Sequence, residues 1–199
     1  MSPSSNSHSQ AVFLDRDGVL VEDVEQLTNA NQIRILPGVP RALSLLRQSG
    51  FRLVVISNQA VVARGVATEQ QVRELQGQVE RLIEREGGPS LDGFYFCPHH
   101  PKATLPAYRA DCECRKPQPG MLLRAAKELG LNLPSSFMVG DRITDIIAGA
   151  RAGCRTVLVQ TGQHLAPPIE TTQPLDPSIQ PGFVCADLPA AVQWIMEHK

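Results

Sequence analysis

Short, wholly apolar runs alternate along this chain with segments whose apolar residues recur at helical spacing. The runs have the length of strands that are buried on both faces, and they lie at 11–15, 51–58, 92–97, 136–141, 156–160 and, more weakly, 183–187. Helical spacing occupies 39–50, 68–88, 119–130, 144–154 and 188–198. This alternation predicts an α/β fold, a three-layer sandwich whose mostly parallel central sheet has helices on both faces.

The chain shows no internal repeat and no linker that would divide it. We therefore expect a disordered polar tail at 1–10 and a single domain at 11–199. A Pro-rich loop at 161–182 separates the last two predicted strands, and the pattern assigns it no role.

The composition narrows the classes of protein to which the chain can belong. Its 199 residues carry a formal net charge of −1 without a basic stripe, which argues against a nucleic-acid partner. No apolar run approaches the roughly 18 residues of a membrane span, and the polar N-terminus lacks the apolar core of a secretory signal. We expect a cytoplasmic protein with reduced thiols, and a monomer, because no surplus amphipathic element stands out.

Three of the predicted strands run directly into polar residues. These residues are Asp15 and Asp17 after the first strand, Ser57, Asn58 and Gln59 at the second, and Asp141 and Asp145 after the fourth. In an open parallel sheet, ligands bind in the crevice at the carboxyl ends of the strands. Lys116 stands in a loop just before a helix and can join them, so we expect one site built from distant segments.

The chemistry of these side chains indicates phosphoryl transfer. Three neighbouring carboxylates repel one another and call for a hard cation, and open positions for water and phosphate suit Mg²⁺. A serine hydroxyl and a lysine ammonium suit a phosphoryl group, while one aspartate can attack phosphorus and a second can transfer protons. Each piece alone has an ordinary alternative, since D-x-D-G is common in turns. An EF-hand loop and a Walker sequence are both excluded by spacing.

In their order and placement these segments resemble the haloacid dehalogenase superfamily of phosphohydrolases, whose motifs stand here as FLDRDG, ISN, RKP and GDRITD within residues 11–160. The resemblance implies a Rossmann-like fold. The catalytic residues that it implies are Asp15 as nucleophile, Asp17 as general acid/base, and Ser57 and Lys116 as the groups that hold the phosphoryl group. The Mg²⁺ ligands that it implies are the Asp15 carboxylate, the Asp17 main-chain carbonyl and Asp141, with Asp145 in support.

Three of the five cysteines fall in one loop, where Cys97-x-His99 is followed by Cys112-x-Cys114. Such a cluster is a redox device, a disulfide or a metal site. A redox C-x-x-C is absent, and a disulfide between Cys112 and Cys114 would be strained. Two close pairs of soft or borderline ligands suit a closed tetrahedral Zn²⁺ site, with His99 or His100 as the fourth ligand. Unliganded surface thiols are the remaining alternative.

This loop, CPHHP followed by CECRKPQPGM, is similar to the group that contains the D-glycero-D-manno-heptose 1,7-bisphosphate 7-phosphatases and the histidinol-phosphate phosphatases. The zinc ligands that the similarity implies are Cys97, His99, Cys112 and Cys114. The substrate-binding residues that it implies are Asp23, Gln26, Asn58, Gln59 and Arg115. Residues 18–38 and 97–114 are too few for a large cap domain, so we expect loops alone, the zinc-bound loop among them, to cover the site.

The resemblance thus implies a Mg²⁺-dependent phosphatase that removes the 7-phosphate of D-glycero-D-manno-heptose 1,7-bisphosphate through an aspartyl-phosphate. One alternative is another small phosphate ester as substrate, histidinol phosphate above all. A second alternative is a catalytically inactive protein that binds partners through its zinc loop, against which the intact acidic and lysine motifs argue. Ala60 and Val61 replace the Ser-Gly pair usual in the group, which leaves the identity of the small phosphorylated sugar open.

Overall fold

The computed structural model describes residues 9–24, 26–165 and 175–199. The strands in these ranges are β1 (Ala11–Leu14), β2 (Arg52–Asn58), β3 (Gly93–Cys97), β4 (Phe137–Gly140), β5 (Arg155–Val159) and β6 (Phe183–Cys185). They form one sheet in the order β3-β2-β1-β4-β5-β6, and each pair of neighbours is parallel. The predicted parallel α/β sheet is confirmed.

The α-helices of the described residues are α1 (Val39–Gln48), α2 (Ala60–Ala63), α3 (Glu69–Arg85), α4 (Gly120–Leu129), α5 (Ile143–Ala152) and α6 (Leu188–Glu197). Short 3-10 turns lie at Ala30–Gln32, Pro106–Tyr108 and Leu133–Ser135. All of the helices except α2 fall on intervals predicted from apolar spacing, whereas α2 is too short to show that periodicity. Within the same ranges, no helix has both the length and the apolar character needed to cross a membrane.

Both faces of the sheet are apolar, because side chains alternate between the faces along each strand. In β1, Val12 and Leu14 belong to one apolar core, and Ala11 and Phe13 belong to the other. Helices α1, α3 and α6 pack on the first face, and α4 and α5 pack on the second. Since these strands are covered on both sides, the predicted three-layer sandwich is confirmed.

The N-terminal boundary of the fold differs from the prediction. The Arg52 N–H donates to the Gln10 carbonyl at 2.9 Å, and the main chain of Ser9 is hydrogen-bonded to the segment that follows α4. The predicted disorder is therefore wrong for Ser9 and Gln10, whose main-chain groups are paired with the fold. Residues 1–8 lie outside the described part of the chain, as does the stretch 166–174 of the Pro-rich loop.

The strand order reverses between β1 and β4, which lie side by side at the centre of the sheet. From this point β2 and β3 extend the sheet in one direction, and β5 and β6 extend it in the other. A crevice opens at the carboxyl ends of the strands where such a reversal occurs. In its described residues, the connection from β1 to α1 contains the Ala30–Gln32 turn and isolated bridges of Val21 with Asp17 and Ile35. This connection therefore forms no large cap over the crevice.

Candidate active site

A buried lysine stands at the centre of the crevice. The Lys116 Nζ lies 3.0 Å from Asp15 Oδ1 and 2.6 Å from Asp145 Oδ1, and it donates to the Ile56 carbonyl at 2.9 Å. The lysine is only 3% exposed. Three segments that are distant in the sequence therefore meet at a single ammonium group, as the sequence predicts.

The Asn58 side chain fixes the main chain of Lys116. Asn58 Nδ2 donates to the Lys116 carbonyl, and the Lys116 N–H donates to Asn58 Oδ1, both at 3.1 Å. This pair of hydrogen bonds joins the end of β2 to the loop before α4. Asn58, predicted to contact substrate, lines the cavity of the site and also positions the lysine.

Asp141 presents one carboxylate oxygen that has no protein donor. Its Oδ2 accepts from the Gln163 N–H at 2.6 Å, whereas its Oδ1 is buried and lacks a hydrogen-bond partner in the described structure. One ligand atom each from Asp15, Asp141 and Asp145 lies within 4.8 Å of the others. An orphaned buried oxygen among hard carboxylate ligands fits a cation of the Mg²⁺ type.

Asp145 has both oxygens engaged by protein groups. Its Oδ1 pairs with Lys116, and its Oδ2 accepts from the Arg142 N–H at 3.0 Å, where it caps the start of α5. This arrangement holds Asp145 in place beside Asp141. It is compatible with the supporting role that the resemblance implies.

Burial is the largest influence on the ionisation of these groups, because it disfavours their charged forms. Burial raises the pKa of Asp15 well above its usual range, although the Lys116 ammonium acts against it. Burial, followed by the Asp145 carboxylate, raises the pKa of Asp141 to about 7. Burial alone would lower the pKa of Lys116, but the Asp145 and Asp15 carboxylates outweigh it and raise that pKa. Three carboxylates face one ammonium, and a divalent cation would offset the excess negative charge.

The Asp17 carboxylate is held by three N–H groups. Arg16 donates to it through Nε at 3.0 Å and Nη2 at 2.8 Å, and Gln59 Nε2 donates to it at 3.0 Å. Gln59 Nε2 also donates to Ser57 Oγ at 2.8 Å. Arg16 is only 1% exposed, so its guanidinium orients Asp17 from inside the fold. Gln59, predicted to bind substrate, links the two predicted catalytic side chains.

The predicted substrate residues line a small cavity of about 170 Å³. Asp23 and Gln26 form part of its wall, and Asp23 Oδ2 lies 3.4 Å from Arg142 Nη2. Pockets for drug-sized ligands have volumes of about 300–1,000 Å³. The smaller volume of this cavity and its charged walls favour a small polar ligand.

Four arginines line the same cavity. Arg16 and Arg142 are paired with the Asp17 and Asp23 carboxylates, and the other two are Arg64 and Arg115. Arg115 is almost fully buried, and its Nη1 donates to the His99 carbonyl at 3.0 Å. Burial lowers the pKa of Arg115, and the nearby Arg64 guanidinium acts in the same direction. Arg64 is exposed and comes from the segment that follows α2. Two neighbouring guanidinium groups on one wall favour an anionic portion of a ligand.

The cysteine loop brings its predicted ligands together. The Sγ atoms of Cys97, Cys112 and Cys114 lie 3.0–3.5 Å apart, too far for a disulfide bond of about 2.05 Å. His99 Nδ1 lies 3.7 Å from Cys97 Sγ and 3.5 Å from Cys114 Sγ. These separations approach the roughly 3.8 Å between sulfur ligands of tetrahedral zinc. His100 instead accepts from the Lys102 N–H through Nδ1, so His99 is the histidine of this group.

Known proteins are similar to this chain in sequence and in fold. A family model described as HAD-hydrolase-like matches residues 113–191. The D-glycero-beta-D-manno-heptose-1,7-bisphosphate 7-phosphatase of Photorhabdus laumondii is 40% identical over 187 residues, which are 93% of this chain and 96% of that protein. The chain belongs to the haloacid dehalogenase-like phosphatases. The protein of the same name from Escherichia coli K12 is 41% identical to this phosphatase over 162 residues, 80% of this chain and 84% of that one.

A solved structure has the same architecture as this phosphatase. The D,D-heptose 1,7-bisphosphate phosphatase from B. bronchiseptica, complexed with magnesium and phosphate, superposes with a TM-score of 0.78 at 31% identity. The match covers 96% of this chain and 99% of that one. The family resemblance inferred from the four motifs is thereby confirmed.

Three features of the site were missed by sequence reasoning. Arg16 stands between the two aspartates of FLDRDG, and an arginine between two acids at the end of an apolar run is a signal for a buried ion pair. Arg64 precedes a glycine in a short loop, a pattern too common to single out. Gln163 contributes its main-chain N–H to Asp141, and main-chain donors leave no trace in residue type.

Proposed function

We propose that this phosphatase removes the 7-phosphate of D-glycero-D-manno-heptose 1,7-bisphosphate in a Mg²⁺-dependent reaction that passes through an aspartyl-phosphate. The observation that carries the proposal is the buried Lys116 ammonium between Asp15 and Asp145, at a small polar cavity. The names of the relatives, and the magnesium and phosphate in the B. bronchiseptica structure, support the choice of substrate and metal.

The residues of the site would divide the reaction into two displacements. Asp15 attacks phosphorus and forms a new P–O bond while the bond from phosphorus to the sugar oxygen breaks. Asp17, acting as the general acid, gives a proton to the departing oxygen. Asp17 then takes a proton from water, whose oxygen attacks phosphorus, and the bond to Asp15 breaks to release inorganic phosphate. Both carboxyl groups return to their starting states.

The remaining groups would stabilise charge. Ser57 and Lys116 donate to the oxygens of the phosphoryl group as it moves from the sugar to Asp15. Mg²⁺, when bound by Asp15, Asp141 and the Asp17 carbonyl with Asp145 in support, supplies positive charge at those oxygens. Arg16 and Gln59 keep the Asp17 carboxyl group oriented for both proton transfers.

The arginine pair supports a bisphosphate over histidinol phosphate. Arg64 and Arg115 would bind the second phosphate through charge-assisted hydrogen bonds. Histidinol phosphate carries a cationic ammonium in place of that phosphate, and two guanidinium groups would repel it. Asp23, Gln26, Asn58 and Gln59 would complete the walls around the sugar.

A comparison of kcat/KM on heptose bisphosphate, histidinol phosphate and p-nitrophenyl phosphate, each with Mg²⁺, tests the proposal. We expect kcat/KM for heptose bisphosphate to exceed that for the other two esters by about 10–100-fold, which is the contribution of one or two charged hydrogen bonds. Equal or better turnover of histidinol phosphate would reject the substrate. Absence of Mg²⁺-dependent turnover of all three esters would instead favour an inactive binding protein.

Replacing Arg115 on the cavity wall should affect substrate binding more than the rate of the chemical step. In Arg115→Ala, KM for heptose bisphosphate should rise about 10–100-fold with little change in kcat, because the contact is formed equally in the ground and transition states. Turnover of p-nitrophenyl phosphate, which lacks the second phosphate, should stay within about twofold of wild type. Arg124→Ala, at an exposed arginine of α4, is the control in steady-state kinetics. A large loss of p-nitrophenyl phosphate turnover in Arg115→Ala would contradict this role.

The cysteine cluster is proposed to hold one structural Zn²⁺ through Cys97, His99, Cys112 and Cys114. Cys112→Ser should lower the zinc content of the purified protein from about one per chain to a small fraction, because a hydroxyl is a much poorer zinc ligand than a thiolate. Turnover should fall on every ester, since Arg115 and Lys116 directly follow the cluster. Metal analysis checks the zinc content, with Cys185→Ser as the control variant because Cys185 lies outside the cluster. Equal zinc in both variants, or none in wild type, would refute the site.

A further inference from the structure

The loop that follows β5 reaches across the sheet to the acidic end of the site. Residues 161–163, here called the strap, belong to the Pro-rich loop to which the sequence assigned no role. Thr161 Oγ1 donates to the Gly18 carbonyl at 2.5 Å, and the Gln163 N–H donates to Asp141 Oδ2 at 2.6 Å. The strap thus ties the segment after β1 to the carboxylate after β4.

Glycine is required on both sides of the Asp141 carboxylate. A Cβ at Gly162 would overlap Asp141 Oδ2 and would lie 2.9 Å from the Gly18 Cα. A Cβ at Gly18 would lie 2.6 Å from the same oxygen, and Gly18 also has a φ of +80°, which favours glycine. The main chain therefore closes on Oδ2 from two directions and leaves Oδ1 as the oxygen without a partner among the described residues.

The strap also reaches the substrate wall. The Gln163 side chain lies beside Asp23, which lines the cavity. One short segment therefore contacts the proposed metal ligand through its main chain and a proposed substrate residue through a side chain. These two contacts belong to different atoms of Gln163, so they can be tested separately.

We propose that the strap is a positioning element of the active site, which aims Asp141 Oδ1 at the divalent cation and braces Asp23 on the substrate wall. The proposal rests on the proposed function, because it takes the cation at Asp141 as given. A carboxylate whose second oxygen is held by a fixed N–H loses rotational freedom and is presented to the cation in one orientation.

Binding of Mn²⁺ to the purified zinc-containing protein, followed by its electron paramagnetic resonance signal, gives a readout that is independent of activity. Mn²⁺ shares the preference of Mg²⁺ for oxygen ligands in octahedral geometry. Gly162→Ala and Thr161→Val should each raise the Kd for Mn²⁺ about tenfold or more. Thr161→Ser, which keeps the hydroxyl, should bind Mn²⁺ like wild type, as should Gly77→Ala in α3.

Gln163→Ala separates the second contact from the first. The variant keeps the main-chain N–H, so its Kd for Mn²⁺ should match that of wild type. Its KM for heptose bisphosphate should rise several-fold. Mn²⁺ binding unchanged in both Gly162→Ala and Thr161→Val would overturn the strap proposal, and having two variants guards against misfolding of either one. Asp141→Asn tests the metal site itself, so it distinguishes a failure of the strap proposal from a failure of the proposed function. If it too binds Mn²⁺ like wild type, the metal assignment and the strap both fall.

Discussion

Asp15→Asn is expected to lose phosphatase activity by about 10⁴-fold or more, the scale seen when a catalytic nucleophile is removed. The amide has nearly the same shape as the carboxylate, but it is a far poorer nucleophile and a weaker ligand for Mg²⁺. Turnover of p-nitrophenyl phosphate measures the loss. Beryllium fluoride, which mimics an acyl-phosphate, should be retained with Mg²⁺ by wild type and not by the variant.

The same substitution should leave the fold intact. The amide oxygen of the variant side chain could still accept from the Arg16 N–H and from Lys116. The substitution also removes one buried negative charge from a group of three carboxylates that face a single ammonium. Without Mg²⁺, the melting temperature of Asp15→Asn should therefore equal or exceed that of wild type. Asp176→Asn, at an exposed aspartate, is the control that should leave both activity and stability unchanged. Appreciable activity in Asp15→Asn would reject the aspartyl-phosphate mechanism.

The sequence was sufficient to predict the acidic side of the site because of a simple geometric rule. Parallel strands deliver their carboxyl ends to one edge, so Asp15 and Asp141 had to meet once β1 and β4 were neighbours. The apolar runs predicted the strands themselves, since burial on both faces leaves no place for polar residues. The cysteine spacing similarly required only a short loop to bring four ligands together.

The contacts that hold these groups in register were not predictable in the same way. The hydrogen bonds from Asn58 to the main chain of Lys116, and from Gln163 N–H to Asp141, join segments whose separation along the chain carries no pattern. Arg64 lines the cavity from the segment that follows α2. Tertiary placement determines all of these contacts, and a periodicity of 2 or 3.6 residues says nothing about it.

Lys116→Met should combine a catalytic loss with a loss of stability. The side chains have similar volume, but the variant removes the only ammonium paired with Asp15 and Asp145 in the described structure. On every ester, kcat should fall about 10²–10³-fold, as when one preorganised donor to a developing charge is lost. Breaking a buried ion pair from one side costs about 3–5 kcal/mol, so without Mg²⁺ the melting temperature should fall on the order of 10 °C.

Mg²⁺ separates the electrostatic account of Lys116 from simple damage to the fold. With the ammonium gone, the buried carboxylates carry more uncompensated charge, so the cation should stabilise the variant more than it stabilises wild type. The rise in melting temperature between metal-free and Mg²⁺-saturated protein should accordingly be larger in Lys116→Met. Lys127→Met, at an exposed lysine of α4, should show the wild-type rise and full activity. A variant that melts like wild type without Mg²⁺ and keeps more than about a tenth of kcat would show that the lysine neither balances the carboxylates nor acts on the phosphoryl group.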